Sequence, residues 1–190
     1  MTAPLRLVTE RLVLRRWRES DVAAFAKLNA DPEVMRYFAR TYDVDETRER
    51  VVSWSEAFET RGYAPWAVEV PGHFPFIGFV GPALIRQPPW LAGKLEMAWR
   101  LDRPFWGKGF ATEAARASLR DVFERLEPPE IIAYTAAINL PSRKVMERLG
   151  MTEDKSAAFD HPAVEENKTL RPHVVYRMTR EGFLAGPATL

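Results

Sequence analysis

Apolar and polar residues alternate over Arg11–Arg16, with Leu12 and Leu14 on one side, which is the pattern of a strand. From Ser20-Asp21 the period changes. Val22, Phe25, Ala26 and Leu28 fall at helical spacing, with Ser20 as the expected N-cap. A second helix runs roughly from Asp45 to Thr60, ends near Gly62, and carries Val51, Val52, Trp54, Ser55 and Phe58 on its apolar side. Strand patterns follow at Trp66–Val70, Phe76–Leu84 and Lys94–Leu101, the first two separated by a Pro71-Gly72 turn. The clearest helix is Ala111–Leu126, whose apolar or small residues at 111, 114, 115, 118, 119, 122, 123 and 126 make one face. Pro128-Pro129 stop it. Glu130–Ala137 reads as a strand. Pro141 starts a short helix with Val145, Met146 and Leu149 inward and Gly150 at its end, and His173–Thr179 is a last strand. The order β, α, α, three strands, α, β, α, β predicts a mixed α/β fold built on one sheet. Gln87–Gly93 and Ala158–Pro172 read as loops inside a single domain, which suits 190 residues.

Composition narrows the function. Lys and Arg number 27 against 26 Asp and Glu, a net charge of +1, so no global field holds a polyanion and a dedicated nucleic-acid binder is disfavoured. The chain has no cysteine, which removes disulfides, thiolate catalysis and cysteine-based zinc sites. Its three histidines, His73, His161 and His173, share no metal-ligand spacing. The N-terminal stretch lacks a signal-peptide pattern and no apolar run approaches a membrane span, so a cytoplasmic protein without membrane contact is expected.

The strongest chemical signal is Arg103–Ala114, RPFWGKGFATEA, between a strand and the long helix. A Gly107-Lys108-Gly109 turn at a helix start exposes backbone N–H groups, and the helix dipole favours an anion there. The amides from about Trp106 through Phe110 to Ala111 would converge on a pyrophosphate, with Lys108 and Arg103 adding charge. The same pair of glycines also serves a plain tight turn. The Walker pattern GxxxxGK[ST] is absent, and a dinucleotide fingerprint fails because its third glycine position is Thr112. Asn139-Leu-Pro-Ser142 forms a second polar β–α junction, in which Asn139 is an expected cap and Ser142 lies in the first turn. Both junctions would face the same end of neighbouring strands, where α/β sheets bind ligands.

Taken in order, several segments resemble the GNAT superfamily of acyl-CoA N-acyltransferases, in its RimJ/RimL type. They are Thr9–Arg15, Phe76–Phe79, Leu95–Asp102, Phe105–Ala114 and Asn139–Met151, with Phe159–Pro162 and His173–Met178 at the end. The resemblance implies a splayed, mixed, mostly antiparallel sheet with helices on both faces, in one acyl-CoA N-acyltransferase domain over residues 1–190. It implies acetyl-CoA in the splay, with pantetheine pairing near Met97, Trp99 and Leu101, pyrophosphate on 106–111, and Asn139 and Ser142 near the sulfur. Two positions depart from the family pattern: Pro104 replaces a usual Gln or Arg, and Met146 replaces a usual proton-donating Tyr.

The expected reaction is direct attack of a neutral amine on the thioester in a ternary complex, because neither a cysteine nor a paired serine offers a covalent route. Ser142 is then the candidate acid, Glu96 on the cofactor strand the candidate base, acting through water, and Glu69 the next choice. A backbone N–H near Trp99 would polarise the thioester carbonyl. The acceptor is expected to be a protein N-terminus or a small amine. Its pocket would be lined by the first two helices and the loops at 71–75 and 86–93, with Tyr37, Phe38, Trp54, Phe74 and Trp90 as aromatic candidates. A non-catalytic acyl-CoA-binding or regulatory domain on the same fold is the competing reading. A homodimer is a further expectation.

Overall fold

A computed structural model describes residues 4–164 and 169–186. Strand β1 is Arg6–Val8 and β2 is Val13–Arg15. Helices α1 (Asp21–Ala30) and α2 (Val44–Arg61) follow, then β3 (Trp66–Val70), β4 (Phe74–Leu84) and β5 (Leu95–Leu101). Helix α3 is Phe110–Arg125, β6 is Glu130–Ala136 and α4 is Leu140–Leu149. Short strands β7 (Thr152–Glu153) and β8 (Phe159–Asp160) precede β9 (Pro172–Thr179) and α5 (Arg180–Leu184). The predicted loop over 158–172 therefore contains β8, and its residues 165–168 lie outside the described residues. Among the described residues no helix is long and apolar enough to cross a membrane.

The strands form one sheet in the order β1-β2-β3-β4-β5-β6-β9-β7, with β8 also on β9. All neighbours are antiparallel except β5 and β6. Strands β4 and β5 pair from Gly78↔Leu101 to Leu84↔Leu95, and β6 and β9 from Glu130↔Thr179 to Ala136↔His173. By contrast, β5 and β6 meet at a single parallel position, Glu96↔Ile132. The sheet splits there into a wedge. Its apex is Glu96, and its mouth opens where the chain leaves β5 and β6. Backbone groups facing into the wedge have lost their ladder partner, so an extended polar ligand can take that place.

Local chemistry explains where the flanking helices begin. Asp43 and Glu46 form a capping box on α2: the Asp43 carboxylate accepts from the Glu46 N–H at 2.9 Å and Glu46 accepts from the Asp43 N–H at 3.1 Å. Ser20 does not cap α1 as expected. Its side chain makes no capping bond, and the neighbouring Asp21 carboxylate instead accepts the Arg18 N–H at 2.8 Å. Asp21 also receives both terminal nitrogens of buried Arg15 at 2.8 Å each, a charge-assisted fork stronger than a hydroxyl cap.

Helices α1 and α2 cover one sheet face. Phe25 and Trp54 pack there on Phe79 with ring centroids 5.6 and 4.9 Å away. The other face is met by α3, whose Ala114, Ala115, Leu119, Val122 and Phe123 are fully buried, and by Met146 and Leu149 of α4. Each large apolar side chain buried this way contributes roughly 1.5–3 kcal/mol. The wedge is thus held open by two packed layers rather than by the strands that border it.

Candidate active site

The mouth of the wedge is built from backbone. Gly107 and Gly109 both adopt left-handed conformations, with φ of 72° and 80°. A Cβ on Gly107 would meet nothing within 4 Å, so this glycine is required by conformation and leaves its outer side open. Gly109 caps α3 without any side-chain bond, and the first bond back to it comes from the Glu113 N–H at 3.0 Å. The amides of Phe110, Ala111 and Thr112 have no protein acceptor among the described residues. Trp106 stands apart from this series. Its N–H donates to the Arg103 carbonyl at 3.1 Å and its indole N–H to the Leu101 carbonyl at 2.7 Å, so the free amides begin after it.

The glycine turn and Thr112 border a recess of about 740 Å³ that Lys108, Arg116, Arg120 and Arg148 also line. Its one acidic lining residue, Glu113, is neutralised by Arg11, whose Nε and Nη2 lie 2.7 and 2.6 Å away. Arg11 also donates to the Lys108 carbonyl at 3.0 Å, which ties β2's approach to the glycine turn. Arg103, expected beside the phosphate, turns instead toward Asp31 at 3.9 Å. The signal for the missed arginines was present: Arg116 and Arg120 are four residues apart on α3 and share a face. Arg148 joins them only through folding, as the Arg116 Nη2 donates to its carbonyl at 2.8 Å. Another recess of about 800 Å³ lies between Pro129 and α5, at the opposite end of β6, with Arg180 and Glu181 as its only charged lining residues.

On the other lip, Asn139 caps α4. Its carbonyl accepts the Ser142 N–H at 3.3 Å, and its amide donates to Thr135 Oγ1 at 2.8 Å. Both ends of that side chain are engaged, which fixes the helix start. The Ser142 hydroxyl makes no hydrogen bond among the described residues and is half-buried. Met146, in the position of the usual tyrosine, is buried in the core.

On β5, Met97 and Leu101 bury their side chains in the core, so only their backbone can meet a ligand; Trp99 is half-buried. Glu96, at the apex, makes no hydrogen bond or ion pair among the described residues. Burial pushes its carboxyl up to about 7. It keeps some accessible area although protein surrounds it closely. Ile132 lies opposite it, and Tyr134, two residues along β6, shares that face. Burial first, and the Glu96 charge second, push the Tyr134 phenol up, so it stays protonated and donates to the Gln87 carbonyl at 3.2 Å. Sequence reasoning missed Tyr134 because only the parallel register brings it to Glu96. Glu69 lies two strands from β5 and accepts Arg15 Nε at 2.8 Å, so it serves a structural ion pair.

The remaining candidates separate clearly. His161 accepts the Ala163 N–H at 3.1 Å, and His173 Nδ1 meets the Arg171 carbonyl at 3.0 Å. Burial lowers both imidazoles, His173 to about 4, so both are neutral at pH 7. His73 is exposed in the hairpin turn. Trp54 belongs to the core aromatic cluster, Phe74 packs edge-on to Phe105 at 4.9 Å, and Trp90 leans on Phe159 at 5.6 Å. Tyr37 packs against Ala136, Val164 and Leu170, which brings the segment between α1 and α2 to the wedge mouth.

One parallel pair that opens the sheet, a glycine turn with unpaired amides at the mouth and a buried carboxylate at the apex define a mixed α/β protein with a cleft between splayed strands. The chain belongs to the GNAT acetyltransferase family: the family's acetyltransferase (GNAT) domain model matches residues 11–152. It is 32% identical over 168 residues to the FsC-acetyl coenzyme A-N(2)-transacetylase of Aspergillus fumigatus, a match covering 83% of this chain and 69% of that one. Its fold is similar to an acetyltransferase from Agrobacterium tumefaciens, at TM-score 0.76, 26% identity, and coverage of 94% and 95%. It also shares its fold with RimL, a ribosomal L7/L12 alpha-N-protein acetyltransferase solved in complex with coenzyme A. That match has TM-score 0.70, 17% identity, and coverage of 96% and 99%.

Proposed function

We propose that this chain is an acetyl-CoA-dependent N-acetyltransferase acting on a primary amine in a ternary complex. The observation that carries the reading is the wedge itself, which joins unpaired amides at 110–112 and a basic recess at one end to an unpaired buried carboxylate at the other. The residues fit coenzyme A. Gly107, Lys108, Gly109, Phe110, Ala111 and Thr112 would hold its pyrophosphate, and the edges of Met97, Trp99 and Leu101 its pantetheine. When bound, acetyl-CoA supplies an acyl carbon activated as a thioester.

The protein then manages protons. Glu96 takes, directly or through one water, the proton that the acceptor ammonium must lose. A carboxyl near 7 is half ionised at neutral pH and basic enough to accept it. As the C–N bond forms and the C–S bond breaks, the nitrogen sheds its second proton and the Ser142 hydroxyl, free of protein partners among the described residues, relays that proton to the leaving sulfur, so that serine ends as it began. Phenolic Tyr134, held protonated and donating to the Gln87 carbonyl, can offer only its oxygen as an acceptor for the substrate ammonium and is not a second base.

A binding-only domain would gain nothing from an unpaired carboxylate at the apex, which costs stability. The N(2)-transacetylase relative and the RimJ/RimL-like sequence pattern both support an amine acceptor. The deciding experiment is a thiol-release assay with acetyl-CoA against a panel of small amines and peptides, beside calorimetry with acetyl-CoA alone. Turnover on an amine is expected. Tight acetyl-CoA binding with no thiol released by any acceptor would favour the binding-only domain.

A further inference from the structure

Arg100 is the one guanidinium on the Glu96 face of β5, four residues further along the strand, and it has no part in the proposed acetyl transfer. Its Nη1 donates to Asn29 Oδ1 on α1. Its buried Nε has no partner, and no carboxylate forms an ion pair with it among the described residues. Instead it lies over aromatic rings, with Phe38 at 4.1 Å, Phe79 at 5.5 Å and Tyr42 at 5.8 Å from its central carbon. Another cation shares the Tyr42 ring: Arg50 sits 4.2 Å over it and also lacks an ion pair among the described residues. Of the carboxylates on α1, α2 and the segment between them, Glu46 is engaged with Arg40, Asp31 with Arg103 at 3.9 Å and Asp21 with Arg15 at 2.8 Å, while Asp45 and Glu49 make no ion pair with Arg100.

The position is also supported from behind. Fully buried Asn29 donates its amide to Thr47 Oγ1 at 3.0 Å, and Thr47 in turn donates to the Asp43 carbonyl at 2.7 Å. That chain turns the Asn29 oxygen toward Arg100 and locks the guanidinium in place. Burial depresses Arg100 to about 9, with Tyr42 opposing the shift and Arg50 adding to it, so the cation is poorly compensated within the protein. A buried guanidinium without an anion is costly, whereas one that meets a carboxylate in a dry site makes a strong forked pair. Glu96 and Arg100 thus offer two unmatched groups of opposite sign on one face, without touching each other.

We infer that Arg100 is the seat of a carboxylate carried by the acceptor, so that the substrate is a small bipolar molecule with its amine at Glu96 and its acid at Arg100. This rests on the acetyl-transfer reading for what happens to the amine. The two Cα atoms are separated by roughly 13 Å along the strand, so an ω-amino acid or a dipeptide spans the gap better than glycine.

The test is calorimetry on the protein saturated with coenzyme A, which binds acceptors without reacting. The probes are glycine, β-alanine, γ-aminobutyrate, ε-aminocaproate and glycylglycine, each beside its carboxamide. The best acid is expected to bind at least about tenfold tighter than its carboxamide. In Arg100→Met, which keeps the stem over Phe38, that ratio falls to about one with coenzyme A affinity unchanged. Equal binding of acid and amide by the wild type overturns the inference without any variant, as does binding of neither form. A preference that survives in Arg100→Met overturns it too. The same panel in the thiol-release assay separates the two readings. A retained acid preference without any acetyl transfer would defeat the catalytic reading alone. Equal transfer to acids and amides would defeat the carboxylate seat alone.

Discussion

The mouth and the apex of the wedge hold chemistry in opposite ways. At the mouth the proposed ligand groups are main-chain amides, shaped by two left-handed glycines and lightly helped by arginines at the surface. At the apex they are side chains, Glu96 and Tyr134, whose properties come from burial and from strands that meet only in the folded sheet. A backbone site tolerates most side-chain changes and fails when φ or bulk changes. A buried side-chain site fails when a single functional group changes. The two halves should therefore respond to mutation in different currencies, the mouth in affinity for acetyl-CoA and the apex in turnover.

The largest effect is expected at the apex. Glu96→Gln keeps the shape and removes the base, so kcat should fall about 10²- to 10⁴-fold while acetyl-CoA affinity stays within about twofold. Single-turnover kinetics beside calorimetry measure both. Unchanged kcat would transfer the base role to water and erase the contrast. The next effect belongs to the mouth. Gly109→Glu forces a residue with a Cβ into a left-handed position, at about 1–2 kcal/mol, and sets a carboxylate where a pyrophosphate is expected. Acetyl-CoA should bind roughly 30- to 100-fold more weakly, with kcat at saturation little changed. Retained affinity would mean that the turn only connects β5 to α3. Below these comes the paired change Arg116→Ala with Arg120→Ala. Both charges are near solvent, so about a tenfold loss of affinity at low salt should shrink as ionic strength rises.

The same contrast governs what the sequence alone discloses. The mouth was legible because its determinants are local. Gly107 and Gly109 precede the apolar face of α3, and Asn139 and Pro141 open α4, all within a few residues of the groups they position. The long elements were legible for a related reason, since a sixteen-residue helix repeats its apolar face several times. The two-residue strands β7 and β8 show no alternation, and β1 has one apolar cycle at most, so only pairing reveals them. Ser20 misled because the capping rule ignores Arg15, which approaches from the neighbouring strand and recruits Asp21. At the apex, Glu96 is the candidate base from its place on β5, and the structure adds only that it is buried without a polar partner among the described residues. The approach of Tyr134 to the same face and the loss of Glu69 to Arg15 depend on register across the sheet, which no local pattern encodes.

The smallest predicted effect tests why Glu96 suits its role, through stability instead of rate. Its carboxyl sits near 7 in the folded chain, above the ordinary 4.5, because burial disfavours the charged form. Between those values the folded protein binds more protons than the unfolded chain, so this group lowers stability progressively as pH rises through the window. Above about 7 the penalty is complete; below 4.5 it is absent. Glu96→Gln removes the ionisation, so the variant should be more stable than wild type at pH 8, by about 1 kcal/mol once partial exposure and relaxation are allowed for. At pH 4, where the wild-type carboxyl is already neutral, the two should unfold at nearly the same denaturant concentration. Such a crossing, with activity lost and alkaline stability gained in one variant, is the mark of a strained functional group. If the variant is equally or less stable at pH 8, Glu96 is solvated or paired, and the apex then differs from the mouth only in which atoms it presents.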